Sequence, residues 1–357
     1  MKICLLGDAR SVHTVRWCQY FRDMGHTVSL ISFRENKIDG VKVFFLGDKL
    51  NVDSSGGNIQ YLKKIFEIRR ILKELDPDIV NPHYLTSYGL IGALLKRGKL
   101  VISTWGTDIL VTPNKNIIYK LITKYAIKRS DLLTSDSDFM TKAIINLGAK
   151  EDKVLTVPMG IEIKDFDISK RNDEELNTFV SMRTVCKNSN IDCIIKAFKI
   201  VLEKNPNCRL ILTNSGEDES LIKDLIVSEG LEDKVEYRGF VTTPQLVDTL
   251  LKSHIYLSIP TSDSTSVTLL EAMAAGSLPI VSDLPANREW IEDGKNGYIL
   301  NEIKPENLAQ IMIKAMNNRE LFEESIKVNR EIIRNRAIWS ENMGKVNKRY
   351  IEINNVK

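Results

Sequence analysis

Asp263 and Glu271 lie in one string, S-D-S-T-S-V-T-L-L-E-A-M-A-A-G-S-L-P-I-V-S, over residues 262–282. Leu269, Leu270, Ala272, Met273 and Ala274 surround Glu271, so the predicted helix is apolar on nearly every side and reads as buried. A carboxylate there needs a partner or a polar ligand, because an unpaired buried charge is strongly destabilising. No Lys or Arg stands within two turns of it. The plainer reading is a Glu near a helix start that complements the helix dipole. Ser264, Thr265 and Ser266 are N-cap residue types. A helix starting there, near Ser266 and Val267, turns free N–H groups outward, an arrangement suited to a phosphate. Gly276 reads as the C-cap, Pro279 stops the helix, and residues 279–282 read as a short buried strand.

Other candidates stand where strands end. Gly7 opens the first turn after a strand at residues 2–6 and permits close backbone approach, with Ser11 and His13 nearby. The three-glycine dinucleotide pattern is missing there, so no hydride-transfer cofactor is expected. His83 follows a short strand at 79–81, and Trp105 and Asp108 follow one at 100–104; open α/β sheets place ligands at such strand ends. Arg183 and Lys187 follow a strand at 179–182, as either surface loop residues or anion contacts. His26 and His254 read as structural. The D-x-D triplet at 136–138 reads as a helix cap before Phe139 rather than a metal motif.

These residues need a scaffold of alternating strands and helices. Residues 1–165 alternate in that way from the first strand to one at 154–157, which implies a parallel sheet with helices on both faces. Residues 163–177 are polar and form the linker candidate. A second series follows, with strands at 179–182, 209–212, 235–237, 255–258 and 279–282. The expected architecture is α/β, two Rossmann-like doubly wound domains facing a central cleft: 1–165, 166–338, and a C-terminal helical segment 339–357 returning toward the first. At 357 residues, two domains are the default.

Composition adds limits. No apolar run approaches the length of a transmembrane helix, and the start of the chain lacks a signal-peptide pattern. Five scattered cysteines without metal or disulfide spacing fit a reducing cytoplasm. The net charge of +3 is uneven: residues 1–165 hold 25 Lys and Arg against 18 Asp and Glu, so +7, leaving −4 for the rest. The excess lies in 59–75 (Lys63, Lys64, Arg69, Arg70, Lys73) and 115–129 (Lys115, Lys120, Lys124, Lys128, Arg129). Both segments read either as solvated helix faces or as a basic surface for anionic lipid or an anionic acceptor.

Taken in order, the motifs resemble a known family. G-D-A-R-S-V-H-T-V-R-W at 7–17, S-T-W-G-T-D-I-L at 103–110, V-P-M-G-I-E at 157–162 and S-M-R at 181–183 are followed by V-E-Y-R-G-F-V at 235–241. The acids at 263 and 271, then E-A-M-A-A-G-S-L-P-I-V, complete the set. The whole resembles the retaining GT-B glycosyltransferases of the family 4 type. The resemblance implies transfer of a hexosyl or N-acetylhexosaminyl group from a nucleotide-diphosphate sugar to a hydroxyl of a glycan, glycolipid or polysaccharide precursor, with no metal and no cofactor. It implies that Glu271 takes the ribose hydroxyls and Asp263, usually Glu in the family, the donor sugar. Backbone N–H groups near Ser266 and Val267 would meet the diphosphate. Arg183 and Lys187 would neutralise the leaving phosphate. Gly216 occupies a family glycine position, and Phe240 and Val241 would lie near the base. Asp108 is expected to contact sugar or acceptor, and Ser11, His13, His83 and Trp105 to line the cleft; Trp105 stands where many members have His. The expected setting is cytoplasmic, peripheral at the inner face of the membrane, with no nucleic-acid partner and an oligomeric state left open. The competing readings are a nucleotide-sugar epimerase of the same architecture and a nucleotide-sugar-binding protein without turnover.

Overall fold

The computed structural model describes residues 1–47 and 59–355. It divides into two compact units, residues 1–158 with 341–357, and residues 159–340. Among the described residues, no helix is long and apolar enough to cross a membrane.

The first unit holds β1 (Lys2–Leu6), β2 (Thr27–Ser32), β3 (Lys42–Phe45), β4 (Ile79–Pro82), β5 (Lys99–Ser103), β6 (Leu132–Ser135) and β7 (Val154–Thr156). They form one parallel sheet in the order β3-β2-β1-β4-β5-β6-β7. The order reverses between β1 and β4, and that switch point is where an open sheet presents a crevice at its carboxyl ends. Cys4, Leu6, Val80, Leu100, Ile102 and Leu133 turn to one face, under Ile68, Ile71 and Leu72 of helix Ile65–Leu75. Helix Val12–Asp23 buries Trp17, Cys18 and Phe21. Phe21 stacks on Tyr350 at 4.9 Å, so the last helix, Trp339–Asn355, completes this unit's core through a fully buried Tyr350. His26 holds the same helix by a 2.8 Å hydrogen bond between its Nε2 and Asn347 Oδ1.

The second unit holds β8 (Thr178–Ser181), β9 (Arg209–Thr213), β10 (Val235–Gly239), β11 (Ile255–Ser258), β12 (Leu278–Ser282) and β13 (Tyr298–Leu300), in the order β10-β9-β8-β11-β12-β13. Alternation along the strands divides its core in two. Phe179, Leu210, Leu212, Ile255, Leu257 and Ile280 face helices Ile191–Lys204 and Pro305–Met316. Val180, Ile211, Tyr256, Val281 and Ile299 face helix Val267–Ala275. β13 escaped the sequence reading because three residues are too few to display a period.

Residues 163–177 are not a loose linker. Ile163, Phe166 and Ile168 pack into the second core, and Arg171, with 2 % of its side chain exposed, fastens the segment. Arg171 donates to the carbonyls of Leu250 (3.2 Å), Ser253 (3.0 Å) and Ala275 (2.8 Å) and pairs with Asp173 at 2.9 Å. Arg330 donates to the Ala274 carbonyl and to Phe166. Two guanidinium groups thus complement the negative end of helix Val267–Ala275. The segment looked like a linker because its charges are frequent, but its few apolar residues and one Arg do the docking. Arg171→Met should lower the stability of this unit by about 3 kcal/mol, since it strands Asp173 and three carbonyls. Urea denaturation checks this; a loss below about 1 kcal/mol would reduce Arg171 to an ordinary surface pair.

Candidate functional site

The second unit's switch point lies between β8 and β11, and the loops that follow these two strands build the site. After β8, Arg183 donates from one terminal nitrogen to Ser266 Oγ at 2.9 Å and pairs with Asp263 at 2.8 Å. Ser266 is the N-cap of helix Val267–Ala275, in extended backbone, and its hydroxyl accepts from the Leu269 N–H at 3.4 Å. The helix ends at Gly276 in the left-handed region (φ 82°), as its residue type suggests. Leu269, Leu270 and Ala272 through Ala275 are buried. Only Val267, Thr268 and Glu271 are half-exposed, on one face at i, i+1 and i+4 spacing. This corrects the expectation that Glu271 is enclosed: it is the one charged position on a narrow open stripe. It stands about 7.5 Å along the axis from the capping Ser266.

A cation held by a carboxylate and a hydroxyl at a helix N-terminus makes an anion site. Arg183 is largely desolvated, which by itself would lower its pKa, yet Asp263 and the Tyr256 ring beside it raise it, so the cation persists. Arg183 Nε is buried and donates to no group among the described residues. Behind it, Tyr256 is fully buried and its hydroxyl meets Thr268 Oγ1 at 2.7 Å, which meets Ser266 Oγ at 3.1 Å.

Asn188 stitches the two loops. Its Nδ2 donates to the Ser262 carbonyl (2.9 Å), and its Oδ1 accepts from Thr261 Oγ1 (2.7 Å) and the Ser262 N–H (3.1 Å). Asn190, at φ 52°, donates to the Ile259 carbonyl at 2.8 Å. The sequence reading missed Asn188, Asn190, Tyr256 and Thr268. The signal available was N-S-N at 188–190, since Asn tolerates the left-handed region and bonds nearby backbone.

The remaining expected positions of this unit are spread around that centre. Lys187 is exposed in a short turn, Lys187–Ser189, and lines a cavity of about 370 Å³ with Asn190, Asp218 and Leu221. Gly216 lies against Val185, where an added Cβ would come within 2.0 Å of the Val185 carbonyl oxygen, so only glycine permits this approach. Phe240, 76 % exposed, and Val241 line a groove of about 640 Å³ with Arg238, Pro244 and Gln245.

In the first unit, the ends of β1, β4 and β5 gather an aromatic cluster. His13 stacks on Trp105 (5.2 Å, 16°), and the His83 ring meets Trp17 at 5.1 Å and Trp105 at 5.2 Å. His83 Nδ1 lies 3.3 Å from Thr14 Oγ1. Gly7 makes room for both: a Cβ there would lie 3.1 Å from Thr14 and 3.4 Å from His83. Burial lowers the His83 pKa to about 3, helped by His13, and burial with Arg16 lowers that of His13 to about 4. His13 Nδ1, Trp17 Nε1 and His83 Nε2 are buried without hydrogen bonds among the described residues. Ser11 begins helix Val12–Asp23 beside them, half-buried.

Asp108 departs from its expected role. It is fully buried, and its two oxygens accept from the backbone N–H groups of Leu85 (2.8 Å) and Trp105 (3.0 Å). Burial raises its pKa to about 6 against those amides. It positions the Trp105 turn and offers no surface to a sugar. The D-x-D triplet is a cap: Ser137 accepts from the Met140 N–H at 3.1 Å. His254 is structural, bonded to Thr178 and Asn172.

The family described as glycosyl transferase 4-like matches residues 2–137, and glycosyl transferases group 1 matches residues 162–332. The chain is 25 % identical over 283 residues to alpha-monoglucosyldiacylglycerol synthase of Acholeplasma laidlawii, covering 71 % of this chain and 70 % of that one. It is 28 % identical over 152 residues to the GtfA subunit of a UDP-N-acetylglucosamine--peptide N-acetylglucosaminyltransferase of Streptococcus pneumoniae, covering 42 % of this chain but only 29 % of that protein. The structure of Anabaena Alr3699/HepE in complex with UDP-glucose matches 99 % of this chain and 100 % of its own, at a TM-score of 0.80 and 16 % identity. Many solved glycosyltransferases share this two-sheet fold.

Proposed function

The chain belongs to the group 1 glycosyltransferases, enzymes that transfer sugar from a nucleotide sugar, and from that premise we propose a retaining, metal-independent hexosyl or N-acetylhexosaminyl transfer. The donor in this reading is a UDP-sugar, the class bound by the Anabaena structure. The acceptor is a hydroxyl of a glycan, glycolipid or polysaccharide precursor. The observation that carries the reading is the Arg183–Asp263–Ser266 knot at the start of helix Val267–Ala275.

The diphosphate meets the first-turn N–H groups near Ser266 and Val267, and Arg183 swings part of its charge from Asp263 onto the phosphate. Released from Arg183, Asp263 accepts from donor-sugar hydroxyls. Glu271, on the open stripe one turn further, accepts from the ribose, and Phe240 and Val241 border the base. Lys187 stands close enough in sequence to join the phosphate and exposed enough to move. As the glycosidic bond breaks, negative charge grows on the leaving phosphate, and a preorganised guanidinium and helix terminus stabilise it without reorganisation. The half-buried face of His13 and Trp105, backed by the buried His83, suits a sugar ring, and its histidines are neutral at pH 7. The matched families and relatives are transferases, which disfavours the epimerase and turnover-free readings.

A thermal-shift panel of nucleotide sugars tests donor binding. Glu271→Ala should weaken donor affinity on the order of 10- to 100-fold, the worth of one or two hydrogen bonds to a charged acceptor. Unchanged affinity in that variant removes Glu271 from the ribose. The anomeric configuration of the product, read by NMR, tests retention; an inverted product overturns it.

A further inference from the structure

Helix Ile117–Arg129 of the first unit carries a surface that its fold does not use. Its buried residues are Thr123, Ala126 and Ile127, and the last two join the first unit's core. Outward, Ile117 (66 %), Ile118 (62 %), Leu121 (60 %) and Tyr125 (40 %) are exposed. Ile117, Leu121 and Tyr125 follow one another at i, i+4 and i+8, so they form a continuous row rather than scattered exceptions. Lys120, Lys124 and Lys128 form a second exposed row at the same spacing, about 60° around the helix from the first. From Ile109 to Ser130 the chain contains no Asp or Glu. Among the described residues no carboxylate pairs with these lysines or with Lys115.

An aliphatic row beside a lysine row, with an aromatic residue at its end, matches an anionic bilayer surface. The apolar side chains enter the acyl boundary, the lysines meet the headgroups, and Tyr125 sits at the interface. Helix Ile65–Leu75 repeats the pattern more weakly, with Phe66 79 % exposed beside Arg69, Arg70 and Lys73, although Arg70 is near Glu74. We propose that helix Ile117–Arg129 docks the protein on anionic lipid membranes, with Ile117, Ile118 and Leu121 inserted and Lys120, Lys124 and Lys128 on the headgroups. Charge complementarity selects lipid over a second copy of the chain, because two such faces would bring three lysines against three.

Co-sedimentation of the full chain with vesicles tests this. Vesicles of phosphatidylglycerol and phosphatidylcholine should retain the protein at low salt, and pure phosphatidylcholine should not. Lys120→Glu with Lys124→Glu should weaken binding on the order of a hundredfold or more, from roughly tenfold or less for each charge removed and again for each reversed. Ile118→Ser with Leu121→Ser, both at exposed positions that leave the fold intact, should abolish the part of the binding that survives high salt. Absence of binding to anionic vesicles at low salt overturns the proposal. So does a dimer in sedimentation velocity that Leu121→Ser disperses, since the apolar row is then a contact between copies. Donor thermal shifts are measured on the same variants; they read the Arg183 site independently, so its failure and that of the membrane face are told apart.

Discussion

Arg183→Ala should lower kcat by on the order of a thousandfold, while the melting temperature changes little. The magnitude is that of deleting one preorganised group aimed at developing charge. Among the described residues, Arg183 is the only cation held against both Asp263 and the capping Ser266. In the proposed reading its removal takes away the positive charge that faces the leaving phosphate, and it also frees Asp263, which is partly exposed and hydrates at small loss. Arg183→Lys keeps the charge but cannot span Asp263 and Ser266 with one planar fork, so it should regain only about tenfold. Single-turnover kinetics at saturating donor is the measurement. A kcat within about tenfold of the parent in Arg183→Ala would assign Arg183 to loop architecture and move the burden to Lys187 and the helix terminus.

The second large effect is acid sensitivity of the first unit. His83 and His13 have folded pKa values near 3 and 4, lowered chiefly by burial, against an ordinary 6.5. Above pH 6.5 both rings are neutral whether the chain is folded or not, and pH has no leverage. Below it, the unfolded chain takes protons that the folded chain refuses, so each histidine removes about 1.4 kcal/mol per pH unit until its folded pKa is reached. Asp108 acts with the opposite sign. Its folded pKa near 6 lies above the ordinary 3.8, so between these values the folded chain takes the proton first and gains stability as pH falls. From pH 6 to 4 two losses meet one gain, and the net is about 1.4 kcal/mol lost per pH unit. Over that window the total is a substantial part of a typical domain's stability. Hydrogen exchange on peptides from β1 and β4 reads it, and His83→Phe should halve the histidine contribution. Equal protection at pH 7 and pH 4.5 would show that these rings gain a proton without opening the fold.

Much of the architecture was legible in the sequence because parallel strands are short, buried and rich in β-branched residues. I-C-L-L after Lys2 and L-P-I-V after Ser277 each became a buried strand. The string 262–282 also gave its cap at Ser266, its stop at Gly276 and its strand. What stayed hidden was pairing across distance. Nothing local to Arg183 or Asp263 announces that they meet, 80 residues apart, because loops at a switch point converge only through the sheet order. Asp108 was misread for a related reason: a buried carboxylate satisfied by two amides has the same letter as one facing a ligand. Glu271 was read as enclosed because hydropathy counts neighbours, whereas exposure depends on which stripe of a helix has no neighbour.

The last helix has a consequence for how the protein is made. The first unit takes Tyr350 into its core against Phe21, yet 182 residues of the other unit, 159–340, are translated in between. Their first and last stretches lie side by side, with Ile161 donating to the Ala337 carbonyl at 2.8 Å and Trp339 donating to the Ile161 carbonyl at 3.0 Å. On a ribosome the later unit therefore has all its residues before the earlier one does. At about 5–20 residues per second the nascent N-terminal sheet waits on the order of tens of seconds for its final helix. During that interval the apolar surface around Phe21 lacks the cover that Tyr350 later supplies, the kind of transient exposure that makes a nascent chain prone to aggregation.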